Sequence, residues 1–259
     1  MQKGLTSYQM KLVGVTLMVC DHIHQMFVMQ GAPMYLTMLG RVVAPIFLFL
    51  SAEGYYYTHN KLAYLRNLLG GFWIMSSIQW FLPRLVPNDD IVITNNIFGT
   101  LFLTVLTMYG LDLFKKNQGK SRLVGSVLLL GIVGLGGLFL WLITQPGWLM
   151  PVALFSMVIP NIMFVEGNVI FVALGVWFYC FRGKKGLQVL GLGLVALVTT
   201  GFEFTHQLLT TNIQWMMIFS AIPIMLYNGQ EGRKIKWFFY IFYPAHIVIL
   251  YLLATYLVG

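Results

Sequence analysis

The sequence has few charged residues and too little polar surface for a soluble protein. Only 9% of its residues are charged and 58% are hydrophobic, whereas an ordinary soluble domain carries about 25% charged residues. With a mean hydropathy of +0.78, a chain of 259 residues cannot cover a globule with polar groups. Lipid therefore has to be the solvent over most of the surface.

Cysteines are scarce, and the short motifs of soluble enzymes are absent. The two cysteines, Cys20 and Cys180, fall in different apolar segments, so a disulfide framework is not indicated. The chain contains no CxxC, HExxH, GxSxG or Walker sequence, and no metal site is predicted. No soluble-enzyme class therefore competes with a membrane protein.

The positive charge lies in short runs between apolar segments. The net charge is +8, and three basic runs contribute most of it: 115–122, 182–185 and 233–236. Basic clusters close to apolar segments are topology signals, since positively charged loops stay in the cytoplasm. The charge therefore predicts a membrane orientation, and nucleic acid is not expected as a partner.

Apolar runs near the ~20 residues that cross a bilayer as a helix predict an all-α bundle of about nine transmembrane helices. They cover 8–29, 36–57, 64–82, 96–114, 123–144, 163–181, 187–207, 212–227 and 237–257. The apolar segment 146–160 is short and bounded by prolines, so we expect an interfacial or re-entrant piece. With the N-terminus in the cytoplasm and the C-terminus outside, every Lys and Arg except Arg41 and Arg84 falls on the cytoplasmic side. We predict one domain over 1–259 in the cytoplasmic (inner) membrane of a bacterium.

Ionisable residues inside the first apolar segment are the strongest functional signal, because a charge at membrane depth is costly unless it is paired or hydrated. Lys11 and His22 are eleven residues apart, about three helical turns, and so share one face. A cation at the membrane border and a deeper imidazole are suited to a long anionic cofactor with its phosphates outermost. A snorkelling lysine and a hydrogen-bonded interior histidine would give the same spacing.

The second apolar segment runs in the opposite direction and carries Arg41 and Glu53. Their depths allow two ion pairs between helices, Asp21 with Arg41 and Lys11 with Glu53. Such pairs can serve only to hold helices together. His22 beside Asp21 adds a proton acceptor that a purely structural pair does not need.

Other polar residues lie near predicted helix ends or in the last helix. Asn95, Asn96 and Glu166 occupy the outer half, where caps and interfacial groups are common. His246 is different, because it lies several turns inside the final apolar segment. The glycine-rich basic loop 227–233 precedes that segment, and its backbone N–H groups are suited to phosphates, although basic loops are ordinary between helices.

Taken together, these stretches resemble the TraX family, which is named for the acetylase of conjugative F-pilin and is related to the acyltransferase type 3 superfamily. The resemblance is carried by Met10-Lys11-Leu12 with Asp21-His22-Ile23, Gly40-Arg41-Val42-Val43-Ala44-Pro45-Ile46-Phe47 with Glu53-Gly54 and Thr58-His59-Asn60, Asn95-Asn96-Ile97-Phe98-Gly99-Thr100-Leu101, and Tyr227-Asn228-Gly229-Gln230 with Phe239-Tyr240-Ile241-Phe242-Tyr243-Pro244-Ala245-His246. It covers both ends of the chain, and the middle, about 115–160, carries no matching motif.

The resemblance implies an integral membrane acyltransferase that uses acetyl-CoA. In the wider superfamily a basic residue, ten intervening residues and a histidine form a signature, and Lys11 and His22 match it. This makes His22 the general base or a transient acyl acceptor, with Asp21 orienting or charging it. Arg41 and Asn96 become candidate partners of the oxyanion, and His246 a second proton carrier or a hydrogen-bonding partner.

The same resemblance places acetyl-CoA on the cytoplasmic side. The residues expected to bind it are Lys11, Glu53, Asn60, Tyr227, Asn228 and Arg233. Asn95, Asn96 and Glu166 are expected on the side of the acceptor, which is an unidentified envelope component such as a pilin-like peptide, a glycan or a lipid head group.

Two other functions stay open on the sequence alone. A small secondary transporter or flippase would use an Asp21–Arg41–Glu166 polar path and would move its substrate without acetyl-CoA. An assembly factor for surface appendages would use the charges only for packing, so neutral polar replacements would be tolerated.

Overall fold

A computed structural model describes residues 4–94, 96–116, 118–234 and 236–258. These ranges contain eleven α-helices: α1 (Ser7–Phe27), α2 (Tyr35–Gly40), α3 (Val43–Tyr57), α4 (Lys61–Leu85), α5 (Ile97–Lys115), α6 (Gly119–Ile143), α7 (Leu149–Val158), α8 (Asn168–Cys180), α9 (Lys185–Thr199), α10 (Ala221–Leu226) and α11 (Lys236–Val258). Short 3₁₀ helices cover Val28–Gln30, His206–Leu209 and Gln214–Ser220. In the described part of the chain the only β-type pairing is an isolated bridge between Leu5 and Tyr227, so the all-α prediction is confirmed there.

Five helical stretches in the described residues are long and apolar enough to cross a membrane. They are Ser7–Gln30, Tyr35–Tyr57, Ile97–Lys115, Gly119–Ile143 and Trp237–Tyr256. Four further apolar helical stretches are shorter, at Leu149–Val158, Asn168–Cys180, Lys185–Thr199 and Gln214–Leu226. A membrane protein is therefore supported, and the predicted count of about nine crossings is not confirmed.

Two of the predicted long helices are interrupted near a proline. The predicted helix 36–57 divides into α2 and α3, and Pro45 lies in the first turn of α3. The predicted helix 212–227 divides into a 3₁₀ helix and α10, whose first turn holds Pro223. Proline lacks the N–H that a helix interior needs and clashes with the carbonyl four residues earlier, so it is tolerated best in a first turn.

The shorter elements also depart from their predicted bounds. The predicted helix 187–207 ends at Thr199, so Glu203 lies beyond it. The predicted helix 163–181 is reduced to the thirteen residues of α8. The segment 146–160 forms the ten-residue α7, about 15 Å long at 1.5 Å per residue, half of a ~30 Å hydrocarbon core.

The chain packs into two compact units, each assembled from separate segments. The terminal unit comprises Met1–Leu50, Ile78–Thr94 and Phe181–Gly259, and the central unit comprises Ser51–Ser77 and Asn95–Cys180. In the terminal unit α1 packs against α2 and α11, and α9 packs against α10 and the Gln214–Ser220 helix. In the central unit α5 packs against α6 and α8, and α6 packs against α7.

Candidate active site

Two histidines from opposite ends of the sequence meet in the terminal unit. Nδ1 of His22 on α1 lies 2.6 Å from Nε2 of His246 on α11. The two rings meet edge to edge and are nearly coplanar, with centroids 4.9 Å apart and an angle of 25° between their planes, and the residues are only 3% and 7% exposed. The structure thus brings together two of the four residues predicted to be catalytic.

The His246 ring is held from its own helix as well. Its Nδ1 lies 2.8 Å from the backbone oxygen of Phe242, one helical turn earlier, and it stacks on the Phe242 ring with centroids 5.1 Å apart. The Tyr243 ring meets both histidines edge-on, 6.2 Å from His22 and 5.7 Å from His246. These contacts fix the orientation of the pair in an apolar setting.

The other two predicted catalytic residues, Asp21 and Arg41, form an ion pair, and Asp21 directly precedes His22 in the sequence. Nη2 of Arg41 lies 2.9 and 3.1 Å from the two carboxylate oxygens of Asp21. The Thr37 hydroxyl donates to the same carboxylate at 2.6 Å. The Asp21–Arg41 pair predicted from helix depth is therefore confirmed, and the partner that contacts His22 is His246.

The break between α2 and α3 places the Arg41 guanidinium against α1. Gly40 precedes Arg41 in the chain, and a Cβ added at Gly40 would lie only 2.3 Å from the Asp21 carboxyl carbon. A larger residue at position 40 would force the Asp21 side chain or the backbones of α1 and α2 to move. The close approach at Gly40 is what lets the side chains of Asp21 and Arg41 meet end to end.

Most of the hydrogen-bonding capacity of Arg41 is already used. Nε donates to the Thr37 backbone oxygen at 3.1 Å, and Nη1 donates to Oε1 of Gln214 at 3.2 Å. Nη2 donates to Asp21 and to the Thr37 hydroxyl. A guanidinium has five N–H donors, so one Nη1 hydrogen is left without a partner among the described residues. Arg41 can therefore offer a single hydrogen bond to a developing oxyanion.

Asn96 has a different role from the predicted one. It is the N-cap residue of α5, but its side chain does not cap the helix. Its Nδ2 donates to the Phe72 backbone oxygen and to the Ser76 hydroxyl, at 3.2 and 3.3 Å. Both amide hydrogens are therefore used, which argues against Asn96 as an oxyanion donor. Its buried Oδ1 has no hydrogen-bond partner among the described residues.

Glu166, also expected on the acceptor side, contacts α5 through its backbone. The backbone oxygen of Glu166 accepts a hydrogen bond of 2.6 Å from the Thr100 hydroxyl, within the central unit. Asn95 lies outside the described residues.

The loop predicted to hold phosphates instead completes the start of α1. The backbone N–H groups of Ser7 and Tyr8 donate to the carbonyls of Gln230 and Glu231 at 2.8 and 3.0 Å. Thr6 and Gln9 form a capping box that satisfies the next donor. The first helical N–H groups of α1, which would otherwise suit an anion, are therefore already paired.

Three of the predicted acetyl-CoA ligands take part in this local structure or in a similar cap. Nδ2 of Asn228 donates to the Gly4 carbonyl at 3.3 Å, and its Oδ1 accepts from the backbone of Gln230 at 3.0 Å. The Tyr227 hydroxyl lies 3.0 Å from that of Ser7. Oδ1 of Asn60 accepts from the backbone N–H of Ala63, in the first turn of α4. These contacts explain all three side chains without a ligand.

The remaining predicted ligands are Lys11, Glu53 and Arg233. The Lys11 ammonium lies 5.2 Å from the centre of the Phe239 ring, while Glu53 is buried and Arg233 is exposed. The pairing of Lys11 with Glu53 stays a prediction.

The sequence analysis treated Lys185 only as part of a basic loop, but its side chain is held by two hydrogen bonds. Its Nζ donates to the carbonyls of Met225 and Tyr227, both at 2.7 Å. A cation on the last carbonyls of a helix also suits the negative end of the helix dipole. A lysine in a basic loop was therefore part of the fold as well as a topology signal.

The central unit contains a polar cluster that sequence reasoning also missed. Asp112 near the end of α5 accepts hydrogen bonds from the hydroxyls of Tyr55, at 2.7 Å, and Tyr179. The Lys61 ammonium lies 4.1 Å from the centre of the Tyr55 ring and donates to the Tyr55 carbonyl. Burial lowers the pKa of Lys61 below its usual range, and the Asp112 carboxylate opposes that shift. An acidic residue inside an apolar segment was the signal available for Asp112.

A family model described as TraX protein matches residues 7–254, essentially the whole chain. The chain belongs to the TraX family. The matched range contains the histidine pair and the Asp21–Arg41 pair of this TraX protein. No curated protein and no solved structure matches the chain.

Proposed function

We propose that this TraX protein is a membrane acetyltransferase that moves an acetyl group from cytoplasmic acetyl-CoA to an amine or hydroxyl of an envelope acceptor. Membership of a family named for pilin acetylation supports an acetyltransferase-like role. The observation that carries the proposal is the buried His22–His246 pair, with a 2.6 Å contact between ring nitrogens. Acyl transfer to an amine or hydroxyl needs a positioned proton acceptor, and histidine is the most frequent one.

The protein has to move one proton for each acetyl group transferred. Acetyl-CoA supplies the acetyl group as a thioester, so a bond from the acceptor nitrogen or oxygen to the acetyl carbon replaces the carbon–sulfur bond. His22 takes the proton that the acceptor loses, and the same proton returns to the sulfur to give the thiol. The free Nη1 hydrogen of Arg41 is suited to stabilising negative charge on the carbonyl oxygen.

Charge complementarity limits which residues hold the anionic part of acetyl-CoA. Asn60, Tyr227 and Asn228 already have partners within the protein. We therefore assign the phosphates to Lys11 and Arg233, of which Lys11 lies on the same face of α1 as His22. Their neighbour Lys234 is 80% exposed and lies 3.6 Å from Glu231, a weak surface pair that a phosphate can replace.

The acceptor is a donor-bearing group of the cell envelope, such as a pilin-like peptide, a glycan or a lipid head group. Each of these classes carries an amine or hydroxyl that can receive the acetyl group. The apolar helices support a location in a membrane, and the basic loops favour a bacterial inner membrane with the N-terminus in the cytoplasm.

The test uses the full chain in nanodiscs with labelled acetyl-CoA and an envelope extract. We expect release of CoA and transfer of label to one extract component, which mass spectrometry then identifies. The variant His22→Gln should lose about 10²–10⁴-fold in rate, the usual contribution of a general base. The matched control is His24→Gln on the same helix, where the ring of His24 makes one hydrogen bond within the described residues, to the Ala32 carbonyl at 3.0 Å.

The outcomes separate the competing functions. Full activity of His22→Gln would remove His22 as the base. Movement of a solute across the bilayer without acetyl-CoA, together with no transfer of label, would favour a transporter instead.

A further inference from the structure

The hydrogen bonds of His246 determine where its protons lie. A carbonyl oxygen can only accept, so the 2.8 Å contact with the Phe242 backbone requires a hydrogen on Nδ1 of His246. In the neutral ring the other nitrogen, Nε2, then carries no hydrogen and can only accept.

The short contact between the histidines fixes the protons of His22 in turn. Two ring nitrogens 2.6 Å apart must share one hydrogen, because two lone pairs or two hydrogens would repel at this distance. In the neutral pair that hydrogen therefore belongs to Nδ1 of His22 and is donated to Nε2 of His246. A pair carrying one extra proton still has a single hydrogen between the rings.

Counting the four ring nitrogens leaves one vacant position. Nδ1 of His246 is used by Phe242, and the two facing nitrogens share one hydrogen. Nε2 of His22 is the fourth, and it makes no hydrogen bond with any residue in the described part of the chain. It is therefore the only nitrogen of the pair that can take up a proton from outside.

We infer that Nε2 of His22 is the atom that accepts the proton of the acetyl acceptor, and that His246 is a positioning residue that holds His22 in the required tautomer. This inference rests on the proposed acetyl transfer. The acceptor's N–H or O–H bond breaks as its bond to the acetyl carbon forms, and the proton goes to Nε2. When the carbon–sulfur bond breaks, the thiolate takes that proton and His22 returns to its starting form.

His246 also spreads the positive charge that His22 acquires. Once Nε2 is protonated, the hydrogen between the rings can lie on either facing nitrogen, so the charge is shared along one hydrogen bond. A carboxylate has this orienting role in the serine hydrolase triad. In this protein the orienting role belongs to the neutral imidazole of His246, which the Phe242 backbone carbonyl holds in place.

The first test needs no activity. The full chain with ¹⁵N-labelled histidine, in nanodiscs, should give a His22 signal with Nδ1 protonated and Nε2 unprotonated. A nitrogen–nitrogen coupling across the hydrogen bond should connect Nδ1 of His22 with Nε2 of His246. A neutral His22 protonated on Nε2, or the absence of that coupling, would overturn the inference.

The second test separates hydrogen bonding from ring packing at residue 246. In His246→Gln the side-chain oxygen can reach the position of Nε2 and accept from His22, whereas His246→Phe keeps an aromatic ring without an acceptor. We expect His246→Phe to lose about 10²-fold in kcat, as for a misoriented catalytic group, with KM for acetyl-CoA nearly unchanged. His246→Gln should recover at least about tenfold of that loss. Equal rates for the wild type and His246→Phe would contradict the positioning role.

The two tests also distinguish this inference from the proposed function. If no acetyl transfer occurs but the coupling is present, the proposed function fails and the proton arrangement stands. If transfer depends on His22 but the coupling is absent, the function stands and the assignment of Nε2 fails.

Discussion

Asp21 in the terminal unit and Asp112 in the central unit are both acidic residues within apolar helices, but they are stabilised in different ways. Asp21 pairs with the guanidinium of Arg41 and accepts from a threonine hydroxyl. Asp112 accepts from the hydroxyls of Tyr55 and Tyr179. The first arrangement cancels the charge, whereas the second solvates it with neutral donors.

This difference indicates different tasks for the two carboxylates. Asp21 adjoins His22, so its position and the charge of Arg41 bear directly on the proposed proton acceptor. Asp112 joins the ends of α3, α5 and α8 within the central unit. A buried charge costs free energy unless it is satisfied, and this cost is offset by a direct ion pair at Asp21 and by two hydroxyl donors at Asp112.

The largest expected difference between the two regions is in activity. Asp21→Asn keeps the side-chain shape but no longer balances Arg41, so the guanidinium and the His22 backbone shift. We expect about a 10²-fold loss of acetyl transfer, typical of a displaced catalytic group. Asp112→Asn should change the rate less than about threefold. Steady-state rates in nanodiscs check this, and equal losses in both variants would show that the two carboxylates serve the same function.

The next effect concerns the stability of the ion pair. Removing one partner of a fully buried pair costs about 3–5 kcal/mol, but the Arg41 side chain is 28% exposed, so water reduces the penalty. We expect Arg41→Met to lower the free energy of unfolding by about 2 kcal/mol. The double variant Asp21→Asn/Arg41→Met should recover part of that loss in denaturant titrations. A double variant as unstable as the sum of the single variants would indicate that the two side chains are not coupled.

The phenol cluster should show a smaller effect for each hydrogen bond removed. Tyr55→Phe and Tyr179→Phe each delete one hydrogen bond to a carboxylate, worth about 1.5 kcal/mol at the lower end for a charged acceptor. The double variant should lose more than the sum, because Asp112 then has neither donor. Thermal unfolding of the four proteins measures this cycle, and simple additivity would mean that water replaces the missing hydroxyls.

The smallest effect tests the close approach that supports the ion pair. Gly40→Ala places a Cβ against Asp21, and the resulting overpacking should cost about 1 kcal/mol. The matched control is Gly131→Ala on α6, where nothing lies within 4 Å of the new Cβ. That control should be neutral or should stabilise by up to about 1 kcal/mol, since alanine is the better helix former. If the two variants have the same thermal midpoint, the contact at Gly40 is not tight.

The residues that cluster in the terminal unit could be singled out from the sequence because ionisable side chains are rare in apolar segments. Asp21, His22, Arg41 and His246 are ionisable groups in apolar segments, and helix depth already suggested the Asp21–Arg41 contact. What the sequence did not contain is the direction of each hydrogen bond. The 224 residues between His22 and His246 give no local pattern from which a 2.6 Å contact could be derived.

The errors have local physical causes. Helices 36–57 and 212–227 were each predicted to be continuous, because hydropathy does not register the first-turn prolines Pro45 and Pro223, near which the structure divides them. The loop 227–233 looked suited to phosphates by composition, but its carbonyls face the first N–H groups of α1. Asp112 received no role because its tyrosine partners are 57 and 67 residues away.

The pairing of α1 with the loop before α11 has a consequence for synthesis. A ribosome makes Ser7 more than two hundred residues before Gln230, so the first turn of α1 has to rely on water until that loop emerges. His22 likewise gains its partner only when α11 is made. A nascent chain that stops before α11 is therefore expected to insert its first helices without assembling the histidine pair.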